Sequence, residues 1–138
     1  MNGQPFVVGG LLFAVMGIVH GVLTAADVRR PTLFTPKDDA VRVAMTSTNI
    51  RFMRARTSVW NAWLGFNLSH SLGLLVFGVA TVWLGLNVER IQASKALLAM
   101  PSLVGLAYVF LAVRFWFYLP AIGATVATAC LVAGWWRA

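Results

Sequence analysis

Four long apolar stretches dominate this chain and constrain what it can fold into. They run over about residues 6–26, 59–86, 97–119 and 121–136. A helix rises about 1.5 Å per residue, so about 20 apolar residues cross the roughly 30 Å hydrocarbon core of a bilayer. A helix also satisfies its own backbone polar groups, as lipid requires. We therefore predict an all-α integral membrane bundle of four transmembrane helices, in a single domain over residues 1–138.

The composition excludes a water-soluble globule. Hydrophobic residues make up 59% of the chain and charged residues only 11%, whereas a soluble domain has about 25% charged residues. The residues ahead of the first span carry no Lys or Arg, unlike the basic start of a cleaved signal peptide. We expect the first span to be retained.

The positive charge is concentrated in one connection. Seven of the eleven Lys and Arg residues lie between residues 28 and 58. Basic residues near span ends favour the cytoplasmic side and anionic lipid headgroups. We therefore predict a cytoplasmic segment over residues 28–58, both termini outside, and membrane lipids rather than nucleic acid as partners. The residues assigned to headgroup contact are Arg29, Arg30, Arg51, Arg54 and Arg56.

This connection also carries the signature of a short helix. The segment Thr35-Pro36-Lys37-Asp38 offers a capping residue, a proline at the first helical position and an acid at the third. The predicted helix has an apolar face and would lie on the membrane surface. That face comprises Val41, Ala44, Met45 and Thr48.

Prolines mark the later spans, and tryptophans mark span ends. Pro120 predicts a tight connection between spans three and four, which would form an antiparallel hairpin. Pro101 either opens span three or lies inside a helix that begins near Ser94,. Tryptophans near span ends are typical of interfacial belts. They are Trp60, Trp63, Trp83, Trp116, Trp135 and Trp136.

Small residues indicate which spans approach closely, because helices in lipid associate through packing rather than hydrophobic drive. Span one has such residues at three- and four-residue spacing, namely Gly10, Ala14, Gly17, Gly21 and Ala25. Span two has Gly65, Ser69 and Gly73 at spacing four. We predict that these two ridges pack against each other.

Polar residues inside the spans are the main functional signal, because each needs a partner away from lipid. From a cytoplasmic boundary near residues 27 and 58, the helical rise places His20 about 10 Å deep, Asn67 about 13 Å and His70 about 18 Å. His20 is thus level with Asn67 rather than with His70. We predict a polar pocket that opens toward the cytoplasm and in which Asp27 can neutralise Arg114. Its residues are His20, Thr24, Asp27, Asn67, His70, Ser71 and Arg114.

Three functions remain open for this pattern. The first is a non-catalytic accessory or scaffold subunit of a larger membrane complex, bound to other subunits or to itself. The second is a redox subunit for haem b or a quinone, with His20 and His70 as candidate haem ligands. The third is a lipid-handling enzyme or carrier, although no complete nucleophile and base set is visible. Each histidine either stabilises the bundle by a hydrogen bond between helices or binds a cofactor or handles a proton.

Two resemblances accompany these hypotheses. The segment Gly17-Ile18-Val19-His20 resembles the haem-ligand helix of small membrane-anchor subunits of succinate dehydrogenases, over four positions. The patterns GxxHGxxTxxD from Gly17 and WxAWxGFNxSHSxG from Trp60 resemble small four-helix bacterial inner-membrane proteins, over about half the chain. The second resemblance implies a four-helix fold in a bacterial inner membrane and carries no activity to these residues.

Overall fold

The structure, a computed structural model, describes residues 2–51, 56–90 and 93–137. Over these ranges it has five helices: α1 (Gln4–Arg29), α2 (Asp39–Ser47), α3 (Val59–Asn87), α4 (Lys95–Phe115) and α5 (Tyr118–Trp136). Four of these described helices, α1, α3, α4 and α5, are long and apolar enough to cross a membrane. The prediction of an all-helical fold with four helices of membrane-spanning length and composition is confirmed for the described residues.

The bounds of α4 and α5 settle the roles of two prolines. The Ser94 side chain caps α4 by accepting a hydrogen bond from the Leu97 amide at 3.2 Å. Pro101 therefore lies inside α4 rather than at its start. The helical conformation is interrupted at Trp116, which caps the end of α4, and Phe117, which precedes α5; both come before Pro120. Pro120 does not separate the helices as predicted, because it fits the first turn of α5, where backbone N–H groups have no intrahelical acceptor.

By its contacts the chain divides into two compact units, residues 1–17 with 74–138 and residues 18–73. The first unit contains parts of all four long helices around one apolar core. Phe13 is central to that core, with its ring centroid 4.9 Å from that of Phe77 and 5.6 Å from that of Tyr108. The helices α4 and α5 pack against each other, as the predicted hairpin requires. Other buried apolar residues of the core include Phe6, Leu74, Leu84, Leu98 and Leu131.

Glycines bring α1 and α3 into backbone contact within the first unit. A Cβ atom built on Gly10 would lie 2.7 Å from the Gly78 carbonyl oxygen, and one on Gly78 would lie 2.6 Å from the Gly10 oxygen. Gly3 and Gly85 approach each other in the same way. Close packing of these two spans through small residues is therefore confirmed for Gly10.

The predicted contacts of Gly65 and Ser69 on α3 were wrong, and that of Gly73 stays a prediction. A Cβ atom on Gly65 would meet none of the described residues within 4 Å, and Ser69 is exposed. The buried positions of α3 recur at spacings of three and four, through residues 60, 64, 67, 71, 74 and 78. At about 100° per residue, positions 65 and 69 lie away from that row.

These two glycines give a matched stability test. We expect Gly78→Ala to lower the free energy of unfolding by about 1–3 kcal/mol, because the added methyl group would press into the α1 backbone. Gly65→Ala should leave it unchanged or raise it by up to about 1 kcal/mol, because alanine costs less backbone entropy in a helix. Thermal unfolding of the purified protein in detergent micelles measures both. Equal losses in the two variants would contradict this assignment.

The second unit contains the connection between α1 and α3. Helix α2 begins after Asp38, whose carboxylate accepts a hydrogen bond from the Ala40 amide at 2.8 Å. The predicted cap at Thr35 was therefore wrong; Asp is as good a capping residue as Thr, and Asp38 is the one next to the helix. None of the residues of α2 is buried.

A short antiparallel pairing leads the chain from α2 into α3. The Ile50 amide donates to the Thr57 carbonyl oxygen at 3.0 Å, and the Val59 amide donates to the Thr48 oxygen at 2.8 Å. The sequence did not predict this pairing. It fixes where α3 begins.

Candidate functional site

The candidate site lies in the second unit and starts from a buried carboxylate near the end of α1. Asp27 has no exposed surface. Its carboxylate accepts hydrogen bonds from the backbone amides of Thr32 at 2.9 Å, Leu33 at 3.0 Å and Phe34, and from the Thr32 hydroxyl at 3.3 Å. Charge-assisted bonds of this kind are the stronger ones. Asp27 therefore fixes the loop that follows α1.

That loop is connected to α3 through Phe34 and Trp63. The Trp63 indole Nε1–H donates to the Phe34 carbonyl oxygen at 2.9 Å. The Phe34 ring lies 4.7 Å from the His20 ring, centroid to centroid. We assigned Trp63 to an interfacial belt, and that assignment misses its role, because its N–H is bonded to protein.

Asn67 links Trp63 to His20. It has no exposed surface, and its Nδ2 donates to the Trp63 carbonyl oxygen at 2.8 Å. The other amide atom, Oδ1, lies 3.1 Å from His20 Nε2. Because Oδ1 only accepts, Nε2–H must be the donor, and in the neutral ring the lone pair is on Nδ1. The predicted level of His20 with Asn67 is confirmed.

Two buried hydroxyls are bonded within their own helices. Thr24 Oγ1 donates to the His20 carbonyl oxygen at 2.8 Å, and Ser71 Oγ donates to the Asn67 carbonyl oxygen at 2.7 Å. A bond to the carbonyl four residues earlier satisfies a hydroxyl without a second helix. Both predicted residues therefore lie beside the site with their hydroxyl protons already in use.

His70 completes the cluster. Its ring centroid lies 5.5 Å from that of His20, with the ring planes 88° apart, and the Phe66 ring stacks on it at 6.2 Å. The helical rise predicts a difference in depth of about 8 Å between the two histidines. That separation applies to the backbone only, and the side chains bring the rings together.

The structure brings six of the seven predicted pocket residues into the second unit. The seventh, Arg114, belongs to the first unit, is exposed, and has its guanidinium 5.0 Å from the Phe115 ring centroid. The pairing of Arg114 with Asp27 stays a prediction. Sequence reasoning missed Phe34 and Trp63. The spacing of four between Trp63 and Asn67 puts both residues on one face of a helix, and this could have indicated that Trp63 belongs to the site.

The predicted headgroup residues are placed as follows. Arg29 is the last residue of α1, and Arg30 follows it. Arg51 and Arg56 lie in the connection between α2 and α3. Arg29, Arg30, Arg51 and Arg56 are all exposed. Arg54 lies outside the described residues. Contact of these arginines with lipid stays a prediction.

Within the described ranges, no three or more His, Cys, Asp or Glu residues are grouped so that they could hold a metal ion. No family model, curated protein or solved structure matches the chain. Function therefore has to be inferred from the contacts of the residues themselves.

The hydrogen bonds of Asp27 predict a specific loss of stability. Asp27→Asn would turn one acceptor oxygen into a donor that faces backbone N–H groups, so we expect the free energy of unfolding to fall by about 1–3 kcal/mol. Thermal unfolding in detergent micelles measures this loss. The matched control is Asp39→Asn, because the Asp39 side chain is 91% exposed. Equal unfolding temperatures for the two variants would show that the Asp27 carboxylate does not hold the loop.

Proposed function

We propose that the protein is a non-catalytic accessory or scaffold subunit of a larger membrane assembly. The observation that carries this proposal is the uncovered face of α3 at Gly65 and Ser69. Both residues are exposed, and in the part of the chain that the structure describes nothing lies within 4 Å of a Cβ atom at Gly65. Small residues four apart allow another transmembrane helix to approach closely. A second protein chain is the occupant that this face fits.

The use of four buried polar groups in the second unit agrees with a structural role. Thr24, Asn67 and Ser71 donate to backbone carbonyls, and Asp27 accepts from backbone amides. Each bond fixes backbone geometry in the connection or in a helix. A fully satisfied buried network rigidifies the region that contains it, which a subunit needs in order to present a defined surface.

Haem b ligation by both histidines fits less well. Two imidazoles on opposite sides of one iron would have ring centroids about 6.3 Å apart, given metal–nitrogen bonds of about 2.0 Å. The His20 and His70 centroids are 5.5 Å apart, and His20 Nε2 is bonded to Asn67. We do not propose a haem or quinone function.

A lipid-handling enzyme also fits less well. A serine nucleophile needs its hydroxyl within hydrogen-bond reach of a base. The hydroxyls on either side of His70 donate instead to backbone oxygens, Ser69 to Phe66 at 2.9 Å and Ser71 to Asn67 at 2.7 Å.

The location that we propose is a bacterial inner membrane, among proteins that share the two motifs, with residues 28–58 in the cytoplasm and both termini outside. The seven basic residues of that segment support this orientation, because basic residues near span ends favour the cytoplasmic side,. The exposed Arg29, Arg30, Arg51 and Arg56 would contact anionic headgroups there.

Labelling of single cysteines tests the orientation. In a Cys130→Ala background, Thr35→Cys should react with a membrane-impermeant maleimide only after intact cells are permeabilised, because lipid separates it from the reagent. Asn2→Cys is the reciprocal control and should react before permeabilisation. Labelling of Thr35→Cys from outside intact cells would overturn the proposed orientation.

The subunit role is tested at Gly65. Gly65→Leu should remove most of the partner that copurifies with the protein from native membranes in mild detergent, because the larger side chain would hold the second helix away. Ala107→Leu is the matched control: Ala107 is a small, exposed residue on α4, and its replacement should leave copurification unchanged. A wild-type chain that runs at its own mass of 15.0 kDa plus detergent would count against the proposal.

A further inference from the structure

Two buried hydroxyl groups, on α4 and α5, differ from the other buried hydroxyls of the described residues. Those of Thr24, Ser71 and Thr81 donate to the carbonyl oxygen four residues earlier, at 2.8, 2.7 and 2.8 Å. Ser102 and Thr128 are only 5% and 3% exposed, and within the described ranges neither hydroxyl oxygen has a hydrogen-bond partner. A buried hydroxyl without a partner is costly, so each of the two requires one.

The Thr128 hydroxyl lies against Gly105 of α4. A Cβ atom built on Gly105 would lie 2.6 Å from Thr128 Oγ1, so the glycine leaves room that a larger residue would fill. Ser102 lies three residues before Gly105, on the same face of α4, and both residues are buried,. The helical rise over three residues is about 4.5 Å. The α4–α5 interface therefore contains both hydroxyls within about one helical turn.

Pro101 adds a second polar requirement to this part of α4. It lies inside the helix and is buried, and because it has no N–H, the Leu97 carbonyl loses its usual intrahelical donor. In membrane-spanning helices, nearby hydroxyls and ordered water commonly satisfy the backbone groups that a proline frees. Hydroxyls that accept and donate, next to a proline in a helix, are the surroundings that suit bound water.

A further polar group lies between this part of the interface and the end of the helix pair. Trp135 Nε1 is buried and has no hydrogen-bond partner among the described residues. The Trp135 ring lies at the start of α4, with its centroid 5.6 Å from Lys95 Nζ. Ser102 is seven residues further along α4, or about 10 Å by the helical rise. Polar groups therefore occur at successive depths from the Lys95 end inward.

We propose that water enters the α4–α5 interface from the Lys95 end and binds the hydroxyls of Ser102 and Thr128. Buried water typically makes about three hydrogen bonds to groups that the protein leaves unsatisfied. A lipid acyl chain, the other small occupant available at this depth, makes none. The interface between these two helices is therefore a hydration site inside the first unit.

Replacement of each hydroxyl by an apolar group of similar shape tests this proposal. Thr128→Val and Ser102→Ala should each lower the thermal unfolding temperature of the purified full-length protein in detergent micelles. We expect a loss of about 3–8 °C, because the bound water would lose a hydrogen-bonding partner. Thr81→Val is the matched control: Thr81 is equally buried, but its hydroxyl is bonded to its own helix, so the loss should be smaller.

Magnetisation transfer from water to threonine methyl groups, measured by NMR in micelles, detects the water directly. The Thr128 methyl group should receive magnetisation from water, whereas the Thr81 methyl group should not. Gly105→Ala should remove the transfer to Thr128, because the added methyl group would occupy the position beside Thr128 Oγ1.

Three results would overturn the hydration site. A higher unfolding temperature for Thr128→Val or Ser102→Ala would show that the hydroxyl is unsatisfied in the folded protein, since an apolar replacement then removes a penalty. A loss for Thr128→Val equal to that for Thr81→Val would assign the Thr128 hydroxyl to its own helix. The third is a wild-type Thr128 methyl group that receives no magnetisation from water. These outcomes are independent of the subunit role, which depends on α3.

Discussion

The carboxylate of Asp27 is the group on which the second unit depends. It is fully buried near the end of a helix that is long and apolar enough to cross a membrane, where an unsatisfied charge would be very costly. The chain satisfies it with the amides of residues 32–34, and this fixes the path of the loop. The loop in turn offers the Phe34 carbonyl to Trp63, and α3 then holds Asn67 against His20.

The first unit is held together by a different kind of interaction. Its helices meet through aromatic and aliphatic packing around Phe13 and through glycine contacts such as Gly10 with Gly78. In lipid the hydrophobic effect does little to drive helices together, so dispersion contacts between closely approaching backbones have to supply the stability. The outward faces remain apolar, as residues such as Val15 and Leu103 show.

Two faces of α3 have different surroundings. Asn67 and His70 face α1 within the second unit, where they contact His20. Gly65 and Ser69 lie on the uncovered face of the same helix. At about 100° per residue, a helix separates such positions without any change in backbone geometry. One helix therefore presents polar side chains to α1 on one side and small, exposed residues on another.

The sequence by itself determined the four spans, because length and apolar composition are local properties. It also identified His20, Thr24, Asp27, Asn67, His70 and Ser71, because a polar residue stands out in an apolar run. Only the tertiary structure decided their partners. The roles of Phe34 and Trp63 depend on a loop path that no periodicity encodes. The contact of Gly10 with Gly78 depends on how α1 and α3 are aligned along their axes, and the exposure of Gly65 depends on the rotation of α3 about its own axis. Side-chain reach brought His70 beside His20, since helical rise gives backbone depth alone.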